Sequence, residues 1–164
     1  MPRFWSSRPK QRAWLARFCI GKGLDVGCGY KKISEESLGV DVLKQDPRCV
    51  AEIWASAENL SMLADAKWDY IVSCQTLEHL INIKETLKEW FRVLKLGGKV
   101  AVSVPDAERE ERAVKDAHHS TAFTKQTLTW FFEATGFEIL ETELMEEAGW
   151  PTILLAAQKP LTSS

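Results

Sequence analysis

Sequence patterns that would identify a hydrolase or a kinase are missing from this chain of 164 residues. It contains no Gly-x-Ser-x-Gly segment, no Gly-x-x-x-x-Gly-Lys-Ser/Thr phosphate loop and no His-Glu-x-x-His helix. These patterns place a nucleophilic serine, a nucleotide phosphate or a catalytic zinc ion in known enzymes. Their absence argues against serine hydrolase, P-loop kinase and metalloprotease chemistry.

Long apolar runs and paired cysteines are missing as well. No uninterrupted apolar stretch approaches the ~20 residues of a membrane-spanning helix, and no apolar core follows the basic N-terminus as it would in a signal peptide. The four cysteines show no Cys-x-x-Cys spacing, and three of them lie in or beside predicted strands. We therefore expect no membrane span, reduced thiols and a cytoplasmic location.

Acidic residues are missing from the first 22 positions, which hold six basic side chains, whereas the remainder holds 15 basic and 23 acidic ones. The two parts carry +6 and -8, which sum to the net charge of -2. We predict an N-terminal basic arm and helix over 1–22 and one main domain over 23–160, because a chain of this length suffices for one core.

The basic arm is interleaved with aromatic residues, including Phe4, Trp5, Trp14 and Phe18. Such a pattern is compatible with a nucleic-acid contact. The alternative is an amphipathic helix over 12–20 that packs Trp14, Leu15 and Phe18 on the rest of the protein. We favour the helix, so nucleic-acid binding stays possible but is not the preferred interpretation.

Short apolar runs rich in β-branched residues alternate with helical patterns along the rest of the chain. Such runs are typical of a parallel sheet that is covered on both faces, so we predict an α/β fold with a largely parallel sheet. The predicted strands are 24–26, 39–42, 50–54, 70–74, 99–104, 137–144 and 152–158. The predicted helices include 83–96, ending at Gly97-Gly98, and 124–135, capped by Thr124 and stopped by Gly136.

The first predicted strand delivers an aspartate and two alternate glycines into a turn, in the segment Gly23-Leu24-Asp25-Val26-Gly27-Cys28-Gly29-Tyr30. Ligands of such sheets bind beyond the carboxyl ends of the strands, and glycine allows close approach of the backbone. A dinucleotide motif would place a third glycine where Lys32 stands. Only twelve residues separate this strand from the next, so we predict a stunted or absent crossover helix.

At this point the chain resembles the class I S-adenosylmethionine-dependent methyltransferases. Five segments carry the resemblance in the family's order: Leu24-Asp25-Val26-Gly27-Cys28-Gly29, Gly39-Val40-Asp41-Val42, Ala55-Ser56-Ala57-Glu58-Asn59-Leu60, Trp68-Asp69-Tyr70-Ile71-Val72-Ser73 with Leu77-Glu78-His79-Leu80, and Arg92-Val93-Leu94-Lys95-Leu96-Gly97-Gly98-Lys99-Val100. The resemblance implies a Rossmann-like, seven-stranded, mostly parallel sheet whose last strand is antiparallel, with helices on both faces.

The resemblance also implies S-adenosyl-L-methionine as cofactor and a set of residues that bind it. Asp41 would accept hydrogen bonds from the ribose hydroxyls, and Asp25 would pair with the ligand's ammonium group or order the glycine loop. Ser56 stands where the family usually has an aspartate that accepts from the adenine amino group. The full predicted set is Asp25, Gly27, Cys28, Gly29, Asp41, Val42, Ser56, Ala57, Cys74 and Gln75.

Histidines are the candidate catalytic residues. His118 and His119 precede Ser120-Thr121-Ala122-Phe123-Thr124, which is similar to a family segment that closes over the substrate. His119 and His79 are the candidates, because a histidine can take the proton of a hydroxyl acceptor. The alternatives are that His119 only binds the acceptor or orders the loop, and that Glu78-His79 only forms the start of a helix. Some quinone-biosynthesis methyltransferases of similar sequence bind a divalent metal through Glu-x-x-Glu-His, but Gln75 replaces the first glutamate here, so we predict no metal.

The sequence thus predicts methyl transfer by in-line displacement to an unidentified acceptor, most simply a small molecule. Two alternatives stay open. A domain that binds the cofactor but has lost catalysis, acting as a partner subunit, is suggested by Ser56 and Gln75. An RNA methyltransferase is suggested by the basic arm, although Ser73-Cys74-Gln75-Thr76 stands where base-methylating enzymes have Asp/Asn-Pro-Pro-Tyr/Phe. Neither the acceptor nor the oligomeric state follows from the sequence.

Overall fold

The computed structural model describes residues 8–162. In chain order its helices and strands are α1 (Pro9–Ala16), β1 (Gly23–Val26), β2 (Leu38–Asp41), β3 (Ile53–Trp54), β4 (Trp68–Cys74), a 3₁₀ turn (Leu77–His79), α2 (Ile83–Val93), β5 (Leu94–Pro105), α3 (Glu111–Lys115), α4 (Lys125–Thr135), β6 (Glu138–Glu147) and β7 (Trp150–Gln158). No helix among these residues is long and apolar enough to cross a bilayer. Phe4 and Trp5 of the basic arm lie outside the described residues.

All seven strands form one sheet in the order β3-β2-β1-β4-β5-β7-β6. The pairs from β3 to β5 are parallel, whereas β7 runs antiparallel to both β5 and β6. This arrangement confirms the predicted Rossmann-like sheet with an antiparallel last strand. It also places the carboxyl ends of β1, β2, β4 and β5 at the same edge.

The sheet is covered on both faces because alternate side chains of each strand point to opposite sides. Along β4, Tyr70 and Val72 contact Trp14 and Leu15 of α1 on one face. Ile71 lies in the larger cluster on the other face, which contains buried side chains of α2 and α4 such as Leu87, Trp90, Leu128 and Phe132. One short helix therefore covers the first face, and two longer helices cover the second.

The connection from β1 to β2 contains no helix, as predicted from its length. Residues 27–37 form turns and bends instead. The Lys32 side chain stabilises this connection, because its Nζ donates to the Ser37 carbonyl at 3.0 Å and to Glu52 Oε1 at 2.6 Å. The glycine loop therefore lacks the helix N-terminus that a diphosphate would require.

The predicted range of the first helix, 12–20, was wrong: α1 begins at Pro9 and ends at Ala16. Proline is well suited to the first turn of a helix. Two backbone N–H groups of that turn, those of Lys10 and Gln11, donate to the Glu147 carboxylate at 2.9 and 3.1 Å. Their partner is distant in sequence although it is adjacent in space. This partner lies at the end of β6, so the sequence pattern around α1 does not reveal it.

The predicted end of the second helix at Gly97-Gly98 was also wrong, because α2 ends at Val93 and β5 begins at Leu94. Gly97, at φ +75°, lies inside the start of β5, where its N–H donates to the Lys159 carbonyl at 2.9 Å. The caps predicted for α4 are confirmed. Thr124 Oγ1 accepts from the Thr127 N–H at 3.1 Å, and Gly136 ends the helix at φ +105°.

Candidate functional site

The candidate site lies where the parallel strands end together. Strand β1 ends at Val26, β2 at Asp41, β4 at Cys74 and β5 at Pro105. Because these carboxyl ends share one edge, the sequence-predicted residues that follow or terminate them are brought to that edge. The glycine loop, Asp41, Cys74, Gln75 and the 3₁₀ turn all belong to this group.

Asp25 lies inside β1 and is buried, with 1% of its surface exposed. One oxygen, Oδ2, accepts a short hydrogen bond from the Ile33 N–H, which ties the far end of the glycine loop to the strand. Burial raises the pKa of this carboxyl to about 7, although the charges of Arg12 and Lys32 act in the opposite direction. Asp25 therefore orders the loop from within the core.

The two predicted glycines, Gly27 and Gly29, both adopt left-handed conformations, at φ +75° and +53°. Their surroundings differ. A Cβ on Gly27 would fall 2.1 Å from Thr76 Oγ1, so the loop packs there against the residue that follows Gln75. A Cβ on Gly29 would meet nothing within 4 Å. Open space therefore lies next to the Gly29 backbone, where a ligand can approach closely.

Asp41 connects the end of β2 to the glycine loop. Its Oδ2 accepts from the Gly29 N–H at 2.8 Å, and its Oδ1 accepts from the N–H groups of Val42 and Leu43 at 2.7 and 3.1 Å. A carboxylate offers about four lone-pair positions, so three amides leave capacity for another donor. Asp41 is buried, whereas the neighbouring Val42 is 66% exposed.

The segment after β3 carries Ser56 and Ala57. Ser56 Oγ accepts from the Glu58 N–H at 3.2 Å, so this hydroxyl contributes to the local turn. The Ala57 carbonyl accepts from Trp90 Nε1 of α2 at 3.0 Å. The indole thus fixes this segment beside the sheet edge through a buried hydrogen bond.

Gln75 directly follows β4 and has an unusual backbone conformation for a non-glycine residue, at φ +54°. Its N–H donates to the Ser103 carbonyl at 2.9 Å, and its side-chain Nε2 lies 3.4 Å from Gln11 Oε1. Burial raises the pKa of the adjacent Cys74 thiol. Strained backbone of this kind is concentrated at functional sites, and no pattern in the sequence indicates it.

Glu78 lies in the 3₁₀ turn with 1% of its surface exposed. Neither of its carboxylate oxygens has a hydrogen-bond partner among the residues that the structure describes. Burial raises the pKa of this carboxyl to about 8, although its own backbone N–H and the charge of Arg8 act in the opposite direction. A buried carboxyl with no donor is rare in folded proteins.

The segment around His119 packs directly on this turn. The N–H groups of Ser120 and Thr121 donate to the Glu78 carbonyl at 2.7 and 3.0 Å. The imidazole rings of His79 and His119 meet edge to face, with centroids 5.0 Å apart. The structure thus brings the two predicted histidines together beside Glu78, and their catalytic role stays a prediction.

Sequence reasoning missed one buried acid at the same edge. Asp106 follows β5 and is 1% exposed. Its Oδ1 accepts from the Glu108 N–H at 3.0 Å, whereas its Oδ2 has no partner among the groups that the structure describes. An acidic residue at or just after the end of a predicted strand is the signal that points to Asp106, which lies two positions beyond the predicted strand 99–104; Asp41 stands near the end of its predicted strand in a similar way.

Comparisons with known proteins agree with this geometry. The sequence model of the family described as methyltransferase domain matches residues 1–142. A Mycolicibacterium smegmatis protein, named as a probable S-adenosylmethionine-dependent methyltransferase, is 29% identical over 145 residues, which cover 78% of this chain and 56% of that protein. The chain spans about half the length of the curated relatives it matches.

Two solved structures share the fold. An S-adenosylmethionine-dependent methyltransferase from Archaeoglobus fulgidus superposes with a TM-score of 0.71 at 19% identity, covering 93% of this chain and 95% of that chain. A chain in the complex between the Haloferax volcanii Trm112 methyltransferase activator and a methyltransferase superposes with a TM-score of 0.76 at 18% identity. That match covers 99% of this chain and 92% of the other.

Proposed function

The chain belongs to the family of methyltransferase domains, whose methyl donor is S-adenosyl-L-methionine, and we propose that it methylates a small acceptor held beside the 3₁₀ turn. The observation that supports this most is the open space at Gly29, bordered by the buried carboxylate of Asp41. When bound there, the cofactor supplies a methyl group on a positively charged sulfur, which the acceptor atom takes in line as S-adenosylhomocysteine leaves.

The residues at the sheet edge fit the cofactor in both shape and charge. Asp41 retains capacity for a ribose hydroxyl, and Gly27 and Gly29 let the loop backbone approach a ligand without side-chain clashes. Ser56 and Ala57 are assigned to the adenine end, with Val42 beside it. Cys74 and Gln75, at the end of β4, are assigned to the methionine end. Cys28 completes the loop between the two glycines.

The acceptor is assigned to the side of the site where the two histidines meet. His79 Nδ1 lies 2.9 Å from the His118 carbonyl oxygen, and His119 Nδ1 lies 3.0 Å from that of Ala113. A carbonyl only accepts, so each Nδ1 donates and each neutral ring keeps an Nε2 lone pair. Either Nε2 is then suited to receive the proton of a hydroxyl acceptor.

Calorimetric titration with S-adenosylhomocysteine tests the proposal. The chain should bind this product, and Asp41→Ala should weaken binding by about 2 kcal/mol, roughly thirtyfold, because it removes a charged hydrogen-bond acceptor. Asp69→Asn is the matched control, since Asp69 lies at the other end of the sheet and pairs with Lys95 at 2.6 Å. Failure of a folded sample to bind at millimolar ligand would refute the proposal.

A second candidate function is a cofactor-binding subunit without turnover. It is supported by Ser56, whose hydroxyl is engaged in a local turn, and by the likeness to a chain from a complex with a methyltransferase activator. Tight cofactor binding without methylation of nucleic-acid, lipid, quinone or sugar acceptors would favour it. Turnover of any one of these acceptors would exclude it, and turnover of RNA alone would support the RNA methyltransferase alternative.

The cysteines bear on where the protein acts. All four are free thiols: Cys19, Cys28, Cys49 and Cys74. Free thiols are the rule in reducing compartments. We therefore propose a cytoplasmic location, which cell fractionation with a tagged chain tests.

A further inference from the structure

A group of three side chains beside the proposed acceptor position has the composition of a metal site. Glu78, His79 and His119 each offer one ligand atom, and these atoms all lie within 4.8 Å of one another. We propose that they bind one divalent transition-metal ion of the zinc class. If the proposed methyltransferase function holds, that ion also holds the oxygen of a hydroxyl acceptor.

The first observation that points to a ligand is the isolated carboxylate of Glu78. It is 1% exposed, and within the described part of the chain neither oxygen receives a hydrogen bond. Its Oε1 lies 3.9 Å from His79 Nε2, so it is directed at the histidines. Arg8 contributes an opposing charge nearby but donates no hydrogen bond to it. A coordinated cation would supply the missing partner.

The second observation is the orientation of the imidazoles. Both Nδ1 atoms donate to backbone carbonyls, that of His79 to His118 and that of His119 to Ala113. The lone pair of each neutral ring is therefore on Nε2. Metal-bound histidines almost always donate their other nitrogen in this way, because the outer hydrogen bond fixes both the tautomer and the ring direction.

The third ligand was not apparent from the sequence, where Gln75 takes the place of a glutamate. The structure directs Gln75 elsewhere, with its side-chain Nε2 3.4 Å from Gln11 Oε1. It brings His119 to the turn instead, because Ser120 and Thr121 are hydrogen bonded to the Glu78 carbonyl. The donor set is therefore one carboxylate and two imidazoles.

The spacing suits a metal after a small closure. Zinc–ligand bonds of about 2.0–2.2 Å set neighbouring ligand atoms about 3.4 Å apart in a tetrahedral site. Rotamer adjustments of about 1 Å would close the present arrangement to that spacing. Three protein ligands leave a fourth position for water or an acceptor oxygen. The exposed carboxylate of Asp116, whose Oδ2 lies 3.9 Å from His119 Nε2, is close enough to compete for this fourth position.

With the ion bound, the Nε2 lone pairs of both histidines are metal ligands, so the ion, and not a histidine base, activates the acceptor. A hydroxyl bound to a divalent cation loses its proton to water more readily. The resulting oxygen lone pair forms the new bond to carbon while the methyl–sulfur bond breaks and its electrons remain on sulfur. The favoured substrate class is therefore an acceptor with a metal-binding hydroxyl, such as a phenol or an enol.

The test uses the full chain without a histidine tag, freed of metal by a chelator. Titration with Zn²⁺ by calorimetry should give one site, and Co²⁺ should give the visible absorption of a low-coordinate ion. Glu78→Gln and His119→Gln should each weaken Zn²⁺ binding by roughly 100-fold or more. Even the mutation of a residue that only hydrogen bonds to a metal ligand lowers metal affinity by about 10–100-fold. His118→Gln, which alters the exposed neighbouring histidine, should leave affinity unchanged.

Circular dichroism establishes that each variant is folded. The proposal is overturned if the wild-type chain binds no Zn²⁺, or if His119→Gln and His118→Gln bind it equally well. Titration with S-adenosylhomocysteine in excess chelator separates this result from the proposed function. Product binding without metal binding rejects only the metal site, whereas metal binding without product binding rejects only the methyltransferase proposal.

Discussion

The carboxylates on the two sides of the candidate site have different environments. On the glycine-loop side, Asp41 accepts three backbone hydrogen bonds and Asp25 accepts one. On the acceptor side, Glu78 is equally buried but has no donor among the described residues. The first side is held in place by its own hydrogen bonds, whereas the second keeps a buried carboxyl to which no described residue donates.

The two sides also differ in how the chain assembles them. Ile33 and Gly29 donate to aspartates only 8 and 12 positions away. Ser120 and Thr121, in contrast, reach the turn at Glu78 from about 40 positions further along the chain. The local contacts around the glycine loop can therefore be anticipated from the sequence, whereas the distant contacts around Glu78 cannot.

The largest expected effect concerns the pH dependence of stability through Asp25. Its pKa in the folded state, about 7, lies above its unfolded value. The folded chain therefore binds this proton more tightly than the unfolded chain does. The stabilisation of the folded state that this proton provides is complete below about pH 4 and is lost as the pH rises to 7. Relative to wild type, Asp25→Asn should gain up to about 4 kcal/mol of unfolding free energy across that interval.

Urea unfolding at several pH values measures this difference. The charged groups that act on Asp25 are Arg12, Lys32 and Asp41, all unchanged in the variant. Asp69→Asn is the control with the opposite sign, because Lys95 lowers the pKa of Asp69. If the difference in unfolding free energy between wild type and Asp25→Asn did not depend on pH, burial would not raise the pKa of Asp25.

The next effect compares two glycines with nearly the same φ. Gly27→Ala should lose about 3 kcal/mol of unfolding free energy for two reasons. The new Cβ would overlap the Thr76 side chain, and an alanine is strained at φ +75°. Gly149→Ala, at φ +76° with open surroundings, should lose only about 1 kcal/mol. Thermal unfolding compares the two variants, and equal losses would show that Thr76 does not constrain the loop.

A smaller effect of opposite sign is expected on the acceptor side. Glu78→Met should raise the unfolding free energy by about 2 kcal/mol in the presence of a chelator, because it replaces a buried carboxyl that lacks a donor by an apolar group of similar size. Denaturant unfolding at neutral pH measures the change. A loss of stability would mean that Glu78 is already satisfied and that the two sides do not differ.

Much of the sheet, and the placement of the glycine loop and Asp41 at one edge of it, could be predicted because the signals are local. Apolar runs indicated the strands, and Asp25, Gly27, Gly29 and Asp41 stand at strand ends that a parallel sheet brings together. The start of α1 could not be predicted, since the Glu147 carboxylate that caps it is more than 130 positions away. The start of β5 depends equally on a distant partner, Lys159.

The acceptor side shows the same limit at the level of single residues. The sequence placed His79 and His119 among the catalytic candidates but gave no reason to join them to one another. Their meeting depends on the hydrogen bonds that dock the segment after α3 on the 3₁₀ turn. The conformation of Gln75 is a further case, because a positive φ at a glutamine has no sequence signature.

The central claim is that a cofactor lies against the backbone of the glycine loop, and a paired titration with S-adenosylhomocysteine tests it most directly. Gly29→Ala adds a methyl group to open space at φ +53°, so the variant should lose only about 1 kcal/mol of unfolding free energy and stay folded. The wild-type chain should bind the product, and Gly29→Ala should bind it at least about tenfold more weakly, a loss of about 1.4 kcal/mol. Equal affinity in the two proteins, or no binding by folded wild type, would contradict the account.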